Sequence, residues 1–510
     1  MISRASLVGI FKADLTLLLS IGLVKMTVHF LGNGHYGYFR DEYYYLACAD
    51  HLAWGYVDHP PLSILLLKTV RALLGDSLFA IRLPAVLAEA GVVVLAGLIA
   101  RGLGGARFAQ VLSAISAAVV PVFLVSGGFF SMNALDHLFW ALAIYVLVLI
   151  VKGGDRRLWL LFGGFTGLGL QNKISVLFLG FGVVVGLLLT RERKWFREPY
   201  FWLSGLLAFL LFSPYALWQI PNEFATLEFM RNASQLKNLP MSPLQFTGEF
   251  LLEAHPFNLP ILIAGIVYVF SHPEGKRWRF LGWAFLSIYI LFLFQNAKPY
   301  YLAPALLFLL APGSIGLESW FDRRRLGWMK PVVLTLLVLG GALLLPLTLP
   351  VLPIEKYLAY QERLGIEPTP AERGHSTEIP QHFADRFGWM ELTQRVTEVF
   401  ENLSPSDRSK SAIFTGNYGE AGALLFHGKS LPPIYSGHNN FYLWGKGKVS
   451  GEVWIVMGVS REGLVEIFAN VELAALHTHP YAQESRVSIY VCRGLKAPME
   501  ELFEKVKSYI

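Results

Sequence analysis

Long apolar runs fill the first two-thirds of the chain and constrain its fold more than any other feature of the sequence. A helix that crosses the hydrocarbon core of a bilayer needs about 20 mainly apolar residues. Runs of this kind predict eleven transmembrane spans, and their lengths are compatible with a count of eleven to thirteen. The chain is therefore predicted to be a mainly α-helical, polytopic membrane protein. The spans lie near 8–31, 79–100, 107–127, 131–151, 158–171, 174–190, 200–219, 257–271, 279–295, 299–317 and 331–350.

Charged residues are scarce, at 16% of the 510 residues, and the basic ones sit in every second loop between the predicted spans. Because Lys and Arg accumulate in the cytoplasmic loops of membrane proteins, these loops and the basic amino terminus are predicted to be cytoplasmic. The same pattern accounts for the net charge of +6 and argues against a nucleic-acid partner. The basic loop residues are Arg101 and Arg107; Lys152, Arg156 and Arg157; Arg191, Arg193, Lys194 and Arg197; Lys276, Arg277 and Arg279; and Arg323, Arg324, Arg325 and Lys330.

The composition changes after Pro350, where polar and charged residues return. The remaining stretch of about 160 residues is long enough for one small domain. Its apolar runs at 453–459 and 487–491 are typical of strands, and 498–509 has the pattern of an amphipathic helix. Only two cysteines occur in the chain, which excludes a disulfide framework.

Two domains follow from these patterns. Residues 1–350 are predicted to form a transmembrane domain whose outer loop 32–78 is catalytic. Residues 351–510 are predicted to form a mixed α/β domain on the outer, periplasmic side of the membrane. In loop 32–78, segment 62–74 is apolar but has only the length of an interfacial or re-entrant helix.

The first outer loop is the richest in groups that can carry chemistry. Asp41 and Glu42 follow the first span, where a carboxylate can act as general base toward a hydroxyl substrate. The alternative is that Asp41 caps a helix starting near Tyr43. Asp58 and His59 precede two prolines in a stiff turn. They are suited to a divalent ion or a phosphate. The alternative, which these residues taken alone favour, is a turn that simply starts the next helix.

Further polar residues lie at the outer ends of other predicted spans. Asn133 and Asp136 are three residues apart and share one helix face. Lys173 and Lys298 occupy short outer turns, against the positive-inside bias, so each either binds an anion or snorkels to the interface. His255 stands just before a span. Bases, cations and a potential metal pair on one side of the membrane favour an enzyme with a phosphate-bearing lipid substrate.

Several of these residues belong to recognisable motifs. The acidic and aromatic stretch 41–45 is followed by Gly-Tyr-Val-Asp-His-Pro-Pro at 55–61, and Lys-Pro-Tyr-Tyr-Leu occurs at 298–302. Segments 383–389 and 417–422 add two further matches. Together these motifs resemble the GT-C superfamily of membrane glycosyltransferases, in the bacterial branch related to protein O-mannosyltransferases and to the lipid A aminoarabinose transferase. The first-loop pattern is the most specific part of the resemblance.

This resemblance implies a polytopic GT-C-type domain in the bacterial cytoplasmic membrane. The implied reaction moves a sugar from a polyprenyl-phosphate donor to a hydroxyl of a lipid, glycan or protein acceptor, with inversion at the anomeric carbon. No nucleotide cofactor is expected, because a nucleotide-sugar would be used on the cytosolic side. Some relatives hold a divalent metal, so a metal ion is a further expectation.

The resemblance also implies roles for individual residues. Asp41 corresponds to the catalytic base, and His59 stands where the aminoarabinose relatives have a Lys near the donor phosphate. The second acidic site of many relatives aligns best with Asn133, while Asp136 lies one turn further along the helix. The predicted catalytic set is Asp41, Glu42 and Asp136; the phosphate-binding set is His59, Lys298 and Lys173; the positioning set is Asn133, Tyr44, Tyr300 and Tyr301; and the metal pair is Asp58 with His255.

Two other functions are compatible with an outward-facing polar site. A transporter or flippase for lipid-linked saccharides would place its charges near the bilayer midplane, often in broken helices. Here the charges concentrate in outer loops and at helix ends, which favours the enzyme. A polymerase or ligase of lipid-linked saccharides differs from a transferase in moving an oligosaccharide rather than one sugar.

Overall fold

A computed structural model describes residues 4–238, 240–295, 297–367 and 377–510. The first helices are α1 (Arg4–Gly32), α2 (Arg40–Asp50), α3 (Leu62–Leu74), α4 (Leu78–Leu103), α5 (Arg107–Ala118), α6 (Pro121–Gly127), α7 (Met132–Lys152), α8 (Leu158–Leu170), α9 (Val176–Leu188), α10 (Pro199–Gln219), α11 (Ala225–Asn232), α12 (Pro243–Glu253), α13 (Leu259–Ser271), α14 (Arg279–Phe294), α15 (Leu307–Arg323) and α16 (Met329–Thr348). Short 3-10 helices cover Arg191–Arg197, Pro256–Asn258, Glu274–Trp278 and Pro299–Leu306, and a π turn covers Ala233–Lys237.

Strands appear only in the carboxy-terminal part of the described chain. The remaining elements are α17 (Ile354–Arg363), α18 (Gln381–Ala384), α19 (Trp389–Glu401), α20 (Pro405–Arg408), β1 (Ser411–Thr415), α21 (Tyr418–His427), β2 (Ile434–Ser436), α22 (Asn440–Gly445), β3 (Val453–Met457), α23 (Arg461–Ile467), β4 (Phe468–His477), β5 (Val487–Leu495) and α24 (Met499–Lys505).

The chain divides into two compact units. The helical unit comprises Met1–His35, Phe79–Leu217 and Pro240–Tyr357. The sheet unit comprises Tyr36–Leu78, Trp218–Leu239 and Leu358–Ile510, so it includes much of the predicted first outer loop as well as the carboxy-terminal part.

The helical unit contains the membrane-spanning segments. Among the described residues, seven helices are long and apolar enough to cross a membrane. Two further helix pairs reach that length and hydropathy only when taken together and are sharply bent, and α8 and α9 are shorter apolar helices. Every predicted span coincides with one of these helices, so the polytopic helical fold is confirmed. The bends are 61° between α5 and α6 and 96° between α12 and the helical stretch that starts at Pro256. Both occur directly before a proline, because proline disfavours helical geometry in the preceding residue.

The sheet unit is built on five strands in the order β2-β1-β3-β5-β4. Strand β1 is parallel to β2 and β3, whereas β5 is antiparallel to both β3 and β4. The strands predicted at 453–459 and 487–491 are confirmed, and the predicted helix at 498–509 is the shorter α24. The predicted mixed α/β character of this part is confirmed.

Helix α2 packs closely against α21 inside the sheet unit. A Cβ atom added at Gly422 of α21 would lie 2.8 Å from the carbonyl carbon of Tyr43 and 2.9 Å from its Cβ. One turn earlier, a Cβ at Gly419 would lie 2.5 Å from Cγ of Arg40. The two glycines therefore permit α2 to approach α21, and α2 is the helix that carries Asp41.

We predict that Gly422→Ala destabilises the sheet unit by about 1–3 kcal/mol, because the added methyl group overpacks the contact with the α2 backbone. The measurement is the thermal unfolding midpoint of the purified protein in detergent.

Gly463→Ala is the matched control, since a Cβ there would meet only Ser460 Oγ at 3.5 Å and Val459 Cγ1 at 4.0 Å. Alanine is the better helix former, so the control should be neutral or slightly stabilising. Equal unfolding midpoints of the Gly422→Ala and Gly463→Ala variants would show that the contact with α2 does not restrict the residue at position 422.

Candidate active site

Helix α2 begins at Arg40, and its first turn separates the roles of the two acidic residues. The Glu42 carboxylate accepts a hydrogen bond from the backbone N–H of Phe39 at 2.8 Å and is buried. The start of a helix leaves backbone N–H groups without intrahelical partners, and Glu42 satisfies one of them. Glu42 therefore performs the capping function that the sequence offered as the alternative role of Asp41. The helix also starts three residues earlier than the predicted start at Tyr43.

Asp41 is the accessible carboxylate of this turn. Its Oδ1 accepts a hydrogen bond of 2.7 Å from the hydroxyl of Tyr418 and lies 3.7 Å from Nε of Arg40. One third of the Asp41 side chain is exposed. The carboxylate is thus both oriented and open to a substrate, as a general base requires.

Segment 383–389 holds the start of α2. The carbonyl of Asp385 accepts from the backbone N–H of Arg40 at 2.9 Å and from the indole N–H of Trp389 at 2.8 Å. The Asp385 carboxylate adds an ion pair of 3.6 Å with the guanidinium of Arg40. Gly37 has a φ of +83°, and a Cβ atom added at this residue would lie 3.0 Å from the carbonyl oxygen of Arg386. These contacts give a structural reason for the motif that the sequence showed at this segment.

Tyr44 and Asp58 are brought together by a buried hydrogen-bond network. The Tyr44 hydroxyl lies 2.8 Å from Asp58 Oδ1 and 3.0 Å from Asn440 Oδ1, which also accepts from the backbone N–H of Val57 at 2.7 Å. Burial, and next the negative charge of Asp58, raise the pKa of Tyr44, so the phenol stays protonated and donates. The Tyr44 hydroxyl is therefore engaged in fixing Asp58.

His59 is buried beside Asp58 with one ring nitrogen committed. Its Nδ1 donates to the carbonyl of Pro60 at 2.9 Å, and its ring stacks on Tyr45 with centroids 4.8 Å apart. The other nitrogen, Nε2, makes no hydrogen bond to the described residues and lies 3.9 Å from Asp58 Oδ1. Nε2 is therefore the atom of His59 that can bind a phosphate oxygen or a metal ion.

Asn133, Asp136 and Lys173 form one cluster in the helical unit. The Lys173 ammonium donates to Asn133 Oδ1 at 2.7 Å and lies 3.8 Å from Asp136 Oδ2. Asp136 is buried, and Ser175 donates to the same carboxylate oxygen at 2.8 Å. Asn133 and Asp136, which compete for one role in the resemblance, thus contact the same lysine. The positive charge of Lys173 is already compensated by Asp136.

The turn at 295–302 contributes aromatic rings to this cluster. The Lys173 ammonium lies 5.7 Å from the ring centroid of Tyr300 and 5.1 Å from that of Tyr301. Lys298 immediately precedes the 3-10 helix Pro299–Leu306 and is half-buried. The neighbouring Asn296 of this motif lies outside the described residues.

His255 stands at the break between α12 and the following 3-10 helix, with φ of +75°. Its Nδ1 accepts from the backbone N–H of Phe257 at 3.2 Å. Asp58, its proposed partner in a metal site, belongs to the sheet unit. Within the described ranges, no group of three or more His, Cys, Asp or Glu side chains is close enough to hold a metal ion. A divalent ion at Asp58 and His255 stays a prediction.

A buried charge cluster in the membrane helices was missed at the sequence level. His137 Nδ1 lies 2.6 Å from Glu89 Oε1, and Lys25 Nζ lies 3.5 Å from Glu89 Oε2. The signal that points to the cluster is the isolated charge of Lys25 and of Glu89 inside apolar runs, because charges in membrane helices are usually paired.

Comparison with known proteins agrees with this architecture. Residues 58–218 match the model of the family described as dolichyl-phosphate-mannose-protein mannosyltransferase. The fold matches the apo crystal structure of ArnT from Cupriavidus metallidurans with a TM-score of 0.62 and 13% identity, over 93% of this chain and 97% of that chain. The chain has the GT-C glycosyltransferase fold. The resemblance drawn from the sequence is thereby confirmed.

Two further structures share the GT-C fold with this chain. ArnT from Cupriavidus metallidurans bound to undecaprenyl phosphate matches with a TM-score of 0.59 and 14% identity, over 93% of this chain and 97% of that chain. Arabinofuranosyltransferase AftD from Mycobacteria matches with a TM-score of 0.52 and 14% identity, over 94% of this chain and 42% of that chain. No curated protein matches the sequence significantly.

We predict that Lys173→Met destabilises the GT-C helical unit by about 3–5 kcal/mol, because it leaves the buried Asp136 carboxylate without its counter-ion. The double variant Lys173→Met/Asp136→Asn should recover most of this loss, since no charge remains unpaired. Thermal unfolding midpoints of the singles and the double form a double-mutant cycle.

Arg156→Met provides the control, since Arg156 pairs with Glu198 at 3.5 Å on the surface and is 67% exposed. Its effect should stay below about 1 kcal/mol. Additive losses in the Lys173 and Asp136 cycle would contradict an energetic coupling between the two side chains.

Proposed function

We propose that this chain is an inverting glycosyltransferase that moves one sugar from a polyprenyl-phosphate donor to a hydroxyl acceptor. The observation that carries the proposal is a fold shared over 93% of this chain and 97% of a protein whose structure holds undecaprenyl phosphate. The family matched by residues 58–218 is described as acting with a dolichyl-phosphate sugar, which is a donor of the same chemical class.

Asp41 is proposed as the general base. It takes the proton from the acceptor hydroxyl while the acceptor oxygen bonds to the anomeric carbon. The bond from that carbon to the phosphate oxygen breaks at the same time, and polyprenyl phosphate leaves with the electron pair. Attack from the face opposite the phosphate inverts the anomeric carbon through an oxocarbenium-like transition state. Asp41 suits this role because its carboxylate is oriented by Tyr418 and one third exposed.

His59 is proposed to contact the leaving phosphate through Nε2, the ring nitrogen that makes no hydrogen bond to the described residues. Because Nδ1 donates to the Pro60 carbonyl, Nε2 carries a proton only in the doubly protonated ring, and in that form it is a donor aimed at the phosphate. Such a donor is worth more in the transition state than before it, since negative charge grows on the leaving oxygen. The assignments of Lys298 and Lys173 to the donor phosphate stay predictions from the sequence. No step of this mechanism passes through a metal ion.

The reaction is proposed to take place at the outer face of the bacterial cytoplasmic membrane, with the carboxy-terminal part of the sheet unit on the same side. The support is the agreement of five basic loops on the opposite side. A lipid-linked donor is available at that face, whereas nucleotide-sugars are cytosolic. The sugar is proposed to be a hexosyl or pentosyl group, and the acceptor a hydroxyl of a lipid, glycan or protein.

Asp41→Asn is predicted to lower the transfer rate by a factor of about 10²–10⁴, because an amide cannot take the proton of the acceptor. The assay follows label from polyprenyl-phosphate sugars, hexosyl and pentosyl, into acceptors of an envelope fraction, with purified protein in liposomes.

Asp50→Asn is the matched control in the same helix, since Asp50 is 52% exposed and pairs with Arg71 at 2.9 Å. It should leave transfer nearly unchanged. Full transfer by a folded Asp41→Asn protein would refute Asp41 as base. Activity with nucleotide-sugars alone would refute the donor class, and transfer of an oligosaccharide would instead identify a polymerase.

The orientation is tested by single introduced cysteines, because the native Cys48 and Cys492 are both buried. Ser450→Cys in the sheet unit is predicted to react with a membrane-impermeant thiol reagent in right-side-out vesicles. Asp155→Cys, in an exposed loop of the helical unit, should react only after the vesicles are permeabilised. The reverse labelling pattern would invert the topology and remove the outer-face assignment.

A further inference from the structure

We propose that Tyr418 is a positioning residue for transfer, whose hydroxyl holds the Asp41 carboxylate in the orientation that accepts the substrate proton. The inference rests on the proposed function, in which Asp41 is the base. Tyr418 is 377 positions away along the chain. The carboxy-terminal segment thereby becomes part of the apparatus that sets the rate.

The contact between the two residues is direct and specific. The phenol donates to Asp41 Oδ1 at 2.7 Å, a length typical of a hydroxyl bound to a carboxylate. Arg40 approaches the same oxygen from α2 at 3.7 Å. Both groups engage Oδ1, so the second oxygen of Asp41 is the one that the geometry leaves for an acceptor hydroxyl.

The local sequence around Tyr418 fixes where the phenol points. Asn417 caps α21, with its Oδ1 accepting from the backbone N–H of Glu420 at 3.0 Å. Glu420 in turn accepts from the backbone N–H of Gly416 at 2.9 Å and of Asn417 at 3.3 Å. This capping box defines the first helical position, which is Tyr418. The glycines of α21 that permit the approach of α2 then bring the phenol to Asp41.

The ring of Tyr418 is held independently of its hydroxyl. Its centroid lies 4.9 Å from that of Tyr44 and 4.6 Å from that of His438, and the Arg40 guanidinium lies 5.6 Å from it. Phenylalanine retains all of these ring contacts. Tyr418→Phe therefore removes the hydrogen bond to Asp41 and keeps the packing of the ring. A loss of activity in this variant can then be assigned to the orientation of Asp41 rather than to a change of structure.

The hydrogen bond predicts a distinct pH signature. A donor that binds a carboxylate favours its charged form, so losing the donor moves the acidic limb of the rate profile to higher pH. The charged and titratable side chains described around the contact are Arg40 beside Asp41, Asp385 paired with Arg40, His438 beside Tyr418, Glu420 in the cap and Glu484 on Asn417. Burial, and next the charge of Glu484, raise the pKa of Glu420 to about 8. The informative window is therefore below pH 7, where Glu420 stays protonated.

The test is Tyr418→Phe in the full-length protein, with kcat, the KM for the polyprenyl-phosphate donor and the pH profile of transfer between pH 4.5 and 7. We expect kcat to fall about tenfold or more, as for the loss of a hydrogen bond to a charged group, while KM for the donor stays unchanged. The acidic limb should move upward, because the lost donor no longer favours the charged carboxylate. In the Asp41→Asn background the same change should have no further effect.

Tyr435→Phe is the matched control, because Tyr435 also loses a phenolic hydrogen bond, to the Lys448 carbonyl at 3.1 Å. It should leave kcat and the pH profile as in the wild type. Replacing Tyr418 by 3,5-difluorotyrosine gives a second variant that keeps the hydroxyl. This more acidic phenol is a stronger donor, so the acidic limb should move to lower pH, and the probe serves where the Phe variant does not fold.

The outcomes separate the inference from the function on which it rests. If Asp41→Asn abolishes transfer and both Tyr418 variants show the wild-type kcat and pH profile, Tyr418 does not position the base. If folded Asp41→Asn retains transfer, the base assignment itself fails, and the inference fails with it. A fall in unfolding midpoint with unchanged kinetics would assign Tyr418 a purely structural role.

Discussion

The high free-energy cost of charge in a membrane is the constraint on which the helical unit depends. It favours pairing of the charged side chains in these helices, since an isolated charge in hydrocarbon is strongly unfavourable. The Lys173 ammonium lies 3.8 Å from the Asp136 carboxylate. The Glu89 carboxylate contacts both the Lys25 ammonium and the His137 ring. The same constraint puts the backbone into helices, whose hydrogen bonds are internal. The apolar runs and the buried ion pairs are therefore both consequences of the hydrocarbon interior of the membrane.

The sheet unit organises its chemistry around helix α2. The start of α2 is held by the carbonyl of Asp385, and its length lies against α21 through Gly419 and Gly422. Asp41 is therefore supplied by an amino-terminal segment but oriented by carboxy-terminal ones. A short exposed helix on its own would leave the carboxylate free to rotate, whereas this arrangement pre-orients it, which is the usual condition for efficient proton transfer.

Adjacent or equivalent-looking residues in the sequence have different tasks in the structure. Asp41 and Glu42 are neighbouring carboxylates. Glu42 is buried and accepts a hydrogen bond from the backbone N–H of Phe39, whereas Asp41 is one third exposed. Asn133 and Asp136 looked like alternatives for one role, yet both contact Lys173. No local pattern separates such pairs, because the difference lies in which neighbour each side chain meets in space.

The sequence by itself determined the membrane spans, the mixed α/β part and the group of residues after the first span that resemble the GT-C enzymes. Hydropathy, periodicity and short motifs are properties of residues close together along the chain, so they can be recognised from the sequence without the tertiary structure. Only the tertiary structure decided that Glu42 caps α2, that Tyr44 fixes Asp58 and that Tyr418 reaches Asp41. Those contacts join residues as far apart as 377 positions. Their partners are selected by packing, which no local pattern encodes.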